Sequence, residues 1–194
     1  MIKNYFLVAL RAMRRNRVFA TINILGLAMG MSVCFLILLF VHHELSYDTF
    51  HSKAERVYRL KYLGVDDLKL ARVPPVMAEH IPDYFPEVET IARLYPRNIS
   101  VQIGQGDLQK RFEETRVYFV DTTIHELLDF EIVAGTQQAL TQPGKLMLSE
   151  DIARKYFGDA EAVGKTIRFN NQQSYQVGAV FADYPNYSHL QFHI

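Results

Sequence analysis

The sequence predicts an α+β protein, with one N-terminal transmembrane helix followed by a mixed α+β domain. Three observations carry this. Residues 18–41 contain no charged side chain. The first 17 residues hold five basic side chains and no acidic one, whereas all 21 Asp and Glu lie beyond residue 43. From residue 42 to 194, short β-rich runs alternate with helical signals at ordinary globular composition.

The first element is the basic head, residues 1–17. On a helical wheel Ile2, Tyr5, Phe6, Ala9 and Met13 gather on one side and Lys3, Arg11, Arg14 and Arg15 on the other, with Leu7 out of place. Such a helix lies along the inner leaflet, its arginines (and Arg17 beyond them) near anionic headgroups. Asn16 is expected to separate it from the span.

The span, residues 18–41, is the second element. Its 24 residues make a helix of roughly 36 Å, enough for a hydrocarbon core of ~30 Å. A secretory signal has a shorter apolar stretch and a small-residue cleavage site, which "LFVHHE" does not offer. Cys34, between Val33 and "FLILLF", does not suit a lipoprotein site. The reading is therefore a retained anchor. The positive-inside rule puts the head in the cytoplasm and residues 42–194 outside. Inside the span Gly26 and Gly30 form G-x-x-x-G, with Ala28 and Ser32 nearby, and Asn23 places a lone amide in lipid. These three, Asn23, Gly26 and Gly30, are the helix-packing candidates.

The outer region, residues 42–194, has no second apolar run of spanning length and no cysteine, so its core must hold it. "RVYRLKYL" (56–63) reads as a strand, and "PPVMAEHI" as a helix closed by Pro82 or Pro86. "TIARLY" (90–95), "ISVQI" (99–103) and "TRVYFV" (115–120) read as strands, the first two separated by Pro96 and Asn98. "DTTIHELLD" suggests a short helix capped by Asp121. "SEDIARKYFG" suggests a better one, with Ser149 as cap, acids first, bases last and Gly158 at its exit. A hairpin, "KTIRFNNQQSYQVGAVF", turns on Asn170 and Asn171.

Chemistry is sparse. Gly164-Lys165-Thr166 imitates the end of a phosphate-binding loop, but Asp159 stands where the first glycine belongs. The "GKT" also follows a helix and opens a strand, the reverse of that motif. His42 and His43 mark the membrane interface, while His51, His80 and His125 are scattered. His189 and His193 share a face only if that tail is helical. No metal, cofactor, catalytic group or nucleic-acid surface is expected.

Several segments together resemble FtsX-like ABC transporter permeases with a MacB-type periplasmic core domain. The first is "LRAMRRNRVFATINILGLAMGMSVCFLILLFVHHELSYDTFHSKAERVYRL", whose "YDTFH…ERVYRL" is the most specific piece. "FPEVETIARLY" follows, then "LSEDIARKYFGDAEAVGKTIRFNNQQSYQVGAVFADYPNYSHLQF" with its "P-x-x-S-H". The resemblance implies a bacterial inner-membrane permease subunit, worked by a separate cytoplasmic ABC ATPase and acting by mechanotransmission in export or lipoprotein release. Its partners would be the lipid bilayer, that ATPase, and other permease helices or a second copy. Such permeases carry later spans, so the chain is expected to be a fragment of a longer permease or a truncated one. The rival reading is a single-pass periplasmic binding or sensor module.

Overall fold

The computed structural model describes residues 2–64, 69–104 and 109–194; the side chains of Ile2, Lys3, Phe6 and Lys69 lie outside that description. The chain forms two units, residues 1–47 and 48–194.

The first unit is two helices, α1 (Ile2–Arg15) and α2 (Arg17–Leu45), with Asn16 between them at φ −114° and ψ 61°. The expected break at Asn16 is there. No α2 side chain is buried, and the helix has a stretch of mean hydropathy 2.7. Its 29 residues extend past the uncharged run, because Arg17, His42, His43 and Glu44 continue the same helix. It is long and apolar enough to cross a membrane.

The second unit is α+β. Its six-stranded sheet contains β3 (Leu94–Ile103), β4 (Lys110–Val120), β5 (Ile132–Gly135), β6 (Lys145–Ser149), β7 (Thr166–Phe169) and β8 (Gln173–Phe181). β4 pairs β3, and β3 pairs β7. β7 takes residues 173–176 of β8, β5 takes residues 179–181, and β6 runs parallel to β8. Small elements complete the unit: β1 (Tyr62–Leu63) with β2 (Lys69–Leu70), α3 (Met77–Tyr84), α4 (Ile124–Leu127) and α5 (Glu150–Phe157).

Both faces of the sheet are covered. Val101, Leu148, Ile167 and Val177 pack with Ile152 and Tyr156 of α5 on one face. Met147, Ala179 and Phe181 pack with Ile124 of α4 and with Phe192 on the other. Near its end the chain joins two strands. Ser149 N–H donates to His193 C=O at 3.0 Å, and Tyr118 N–H donates to Ile194 C=O at 2.9 Å.

The α5 helix and the hairpin stand as expected, with Gly158 at φ 64° and Asn170 and Asn171 at φ 48° and 58°. Four local readings are corrected and a fifth, the end of α3, is narrowed. Residues 90–95 and 99–103 are not two strands: β3 runs through Pro96 and shifts register only between Arg97 and Ile99. Proline survives because β7 reaches only Val101 and Gln102, leaving the strand unpaired on that side at Pro96. Of residues 56–63, only Tyr62–Leu63 form a strand, since the alternating pattern meets no partner surface and Tyr58 stays 84% exposed. Of the two expected stops for α3, Pro86 is the one that acts: the helix passes through Pro82 and ends at Tyr84, because the proline disfavours a helical residue 85. Thr123 precedes α4, not Asp121, whose carboxylate is taken by Arg93 at 2.8 and 3.1 Å. Ser149 occupies the cap position of α5 but its buried Oγ makes no hydrogen bond. Asp183 supplies the acceptor instead, taking the Asp151 N–H at 3.2 Å.

Candidate functional site

The segments "YDTFH" and "YPNYSH" meet in space. Asp48 sits at φ 57°, a left-handed conformation that Asp tolerates better than most residues. There its Oδ1 accepts from Ser188 Oγ at 2.9 Å and from the His189 N–H at 3.0 Å, across 140 residues of chain. Its Oδ2 lies 2.8 Å from His189 Nδ1, and its own N–H donates to Tyr187 C=O at 3.1 Å. Phe50 packs between Tyr184 and Tyr187, with ring centroids 5.4 and 6.1 Å away.

A second set of bonds fixes the same turn. His51, only 6% exposed, accepts the Asp129 N–H at Nδ1 (3.1 Å). That assigns the proton of the neutral ring to Nε2. Asp129 in turn accepts from the Ser52 N–H (2.5 Å) and Ser52 Oγ (3.1 Å), and its carbonyl accepts from Tyr184 Oη at 2.9 Å. Residues 48–52, 129 and 184–189 thus form one polar and aromatic clasp.

Electrostatics agree with the geometry. Burial opposes charge on Asp48, but the His189 N–H, the Ser188 hydroxyl and the His189 ring outweigh it and hold the carboxyl below its ordinary range. The Ser52 N–H does the same for Asp129, against the opposing effect of burial. Burial lowers the His51 pKa despite the pull of Asp129 and Asp48. The Asp48–His189 contact imitates the base-orienting half of a hydrolase triad. Ser188 donates to the carboxylate, however, and is thereby used as a strut, not presented as a nucleophile.

A buried charge lies elsewhere on the sheet. Glu114 of β4, 3% exposed, is bonded by Lys155 of α5, and His193 Nδ1 lies 3.4 Å from it. Burial raises the Glu114 pKa, yet Lys155, with Tyr156 and His193 assisting, brings it below the ordinary value. The three groups join β4, α5 and the last residues.

The sequence-predicted positions fall in the first unit. Gly26 and Gly30 face open space: a Cβ on either would meet nothing within 4 Å. With Asn23 they span about 60° of the helix. Asn23 itself lines a groove of about 340 Å³ with Ala12, Met13, Asn16, Phe19, Ala20 and Ile24. Arg11, Arg14, Arg15 and Arg17 are exposed, and Arg17 Nε donates to Arg14 C=O at 3.2 Å; the Lys3 side chain lies outside the described residues. Ser32 Oγ bonds Ala28 C=O at 2.8 Å. The "GKT" turn has Gly164 at φ 84° and Lys165 over the Phe157 ring at 4.7 Å, ahead of β7. Among the described residues, no three His, Cys, Asp or Glu side chains converge as metal donors. The residues 185–194 are not helical, so His189 and His193 part company: one joins Asp48, the other Glu114. Sequence reasoning singled out neither the Asp48 clasp nor the Glu114 cluster. The resembling segments named the right stretches, but nothing in them says that the two touch.

The sequence profile of the MacB-like periplasmic core domain matches residues 20–192. The chain belongs to that family. MacB-like core domains are parts of ABC transporter permeases, and an apolar N-terminal helix ahead of this one accords with a membrane-anchored member. No curated protein matches the chain. A domain of a candidate permease protein from Porphyromonas gingivalis shares the fold at TM-score 0.54 and 24% identity, over 66% of this chain and 54% of that one. The periplasmic region of MacB from Actinobacillus actinomycetemcomitans aligns at TM-score 0.44 and 13% identity, over 71% of this chain and 58% of that one. The extracellular domain of the ABC-type transporter YknZ from Gram-positive bacteria aligns at 0.43 and 12%, over 54% of each. The chain spans just over half the length of these structures.

Proposed function

We propose that this MacB-like chain is the anchor and first periplasmic portion of an ABC transporter permease subunit in the bacterial inner membrane. A separate cytoplasmic ATPase drives it, and its work is export or lipoprotein release through movement of residues 42–194. Five basic and no acidic side chains before residue 18 support a cytoplasmic N-terminus. The observation that carries the reading is the clasp. Asp48 follows the last residue of α2, Leu45, by three positions, and it is bonded to Ser188 and His189 at the far end of the sequence. A displacement of the helix along its axis is therefore handed to both ends of the domain at once. The bare glycine face of α2 suits close packing against another permease helix or a second copy. In the domain, a cavity of about 40 Å³ lined by Tyr118, Phe130, Phe181 and Phe192 is apolar and too small for a solute.

The test is reconstitution of the permease containing this chain with its ABC ATPase. Asp48→Ala should lower transport while ATP hydrolysis continues, because the stroke no longer reaches the domain. Unchanged transport would refute the clasp as a transmission element.

A further inference from the structure

We propose that the groove between α1 and α2 holds one anionic phospholipid of the cytoplasmic leaflet. The groove's volume, about 340 Å³, falls in the range of ordinary small-ligand sites. Its wall is apolar, built from Ala12 and Met13 of α1 and from Phe19, Ala20 and Ile24 of α2. Two carboxamides interrupt it, Asn16 and Asn23. Neither side chain has a hydrogen-bond partner among the described residues. An amide left unpaired at this depth is costly, so an occupant that accepts hydrogen bonds is favoured over a purely hydrocarbon one.

Spacing selects the class of occupant. Asn23 lies seven residues, about 10 Å along the axis, beyond Asn16. Asn16 stands at the junction beside Arg14, Arg15 and Arg17, with Arg11 one turn back, so a phosphate at this level meets concentrated positive charge. Asn23 then lies below the ordinary depth of the ester carbonyls, so a lipid drawn into the groove brings a carbonyl down to accept from its Nδ2. Met13, Phe19 and Ile24 line the way for the acyl chains. A free phosphate would use only the upper end and leave Asn23 unpaired. A helix packed on the Gly26–Gly30 face would also reach Asn23, but it needs no basic rim and leaves Asn16 unpaired.

Native mass spectrometry of the delipidated 194-residue chain in detergent, titrated with phosphatidylglycerol, tests the proposal. One lipid should bind, phosphatidylcholine should bind about tenfold more weakly, and Asn16→Leu/Asn23→Leu should weaken phosphatidylglycerol by about tenfold. Ala20→Trp, which fills the groove while keeping both carboxamides, should also displace the lipid. Gly26→Leu/Gly30→Leu should leave it bound. Circular dichroism must show intact helices in each variant. Equal retention of both lipids, or retention unaffected by both the double asparagine and Ala20→Trp changes, would overturn the proposal. Competition by glycerol 3-phosphate at matched concentration would overturn it in favour of a free anion. Loss of a protein dimer, and not of lipid, from the asparagine variant would overturn it in favour of a helix. None of these readouts depends on transport.

Discussion

Replacing Asp48 by Ala removes one carboxylate that two protein donors, Ser188 Oγ and the His189 N–H, share with the His189 ring. Hydrogen bonds to a charged acceptor contribute about 1.5–3 kcal/mol each when buried. The Asp48 side chain is 38% exposed, so solvent screening puts its bonds at the low end. Ser188 Oγ also lies 3.0 Å from the Leu190 carbonyl, which recovers part of its loss. Alanine at φ 57° adds backbone strain of about 1 kcal/mol. The sum is about 2–3 kcal/mol, or a fall of roughly 4–12 °C in the melting temperature of a domain this size. Asp48→Asn keeps an acceptor oxygen and tolerates the left-handed backbone, so it should cost under about 1 kcal/mol. Thermal unfolding of residues 44–194, followed by near-ultraviolet circular dichroism, measures both. An alanine variant melting within about 2 °C of the parent, or an asparagine variant as damaged as the alanine one, would refute the reasoning.

Acid should act on the same bonds. Asp48, Asp121 and Asp129 are held below their ordinary value of 3.8, so their stabilisation is full above that pH and is lost as pH falls through the depressed values. Asp48→Asn should flatten this part of the acid-unfolding curve, and a curve of unchanged shape would count against the assigned bonds. Gly135→Ala, at φ 81° with its new Cβ 2.3 Å from the Gly178 carbonyl oxygen, should lose about 3 kcal/mol or more by urea titration. Lys155→Met should destabilise more than Lys155→Met/Glu114→Gln, because the single change leaves Glu114 buried without its Lys155 ammonium, with the His193 ring as the remaining ionisable partner at 3.4 Å. Equal stability of the two would mean that water already solvates the carboxylate. Gly26→Leu/Gly30→Leu should weaken helix association by about 1–2 kcal/mol, read as lost cysteine cross-linking along residues 22–33 after Cys34→Ala. A flat profile in the parent would mean that the glycine face is idle.

What the sequence determined by itself was whatever depends on neighbours along the chain. The uncharged run makes α2, Asn16 interrupts the helices, Gly158 ends α5, and the Asn170–Asn171 pair turns the last hairpin. Each is set by burial of a continuous surface or by local backbone preference, and both are written in adjacent residues. The tertiary structure decided the rest, because partners far apart compete for the same groups. Asp121 was free to cap a helix until Arg93 claimed it, and Ser149 lost α5 to Asp183, which is 32 residues from the amide it accepts. Pro96 stayed inside β3 because β7 stops short of it. The clasp is the extreme case. An aspartate after a membrane helix and a Ser-His pair 140 residues later have nothing in sequence to join them. Only the folded sheet, by fixing where residues 184–189 run, sets their donors against one carboxylate.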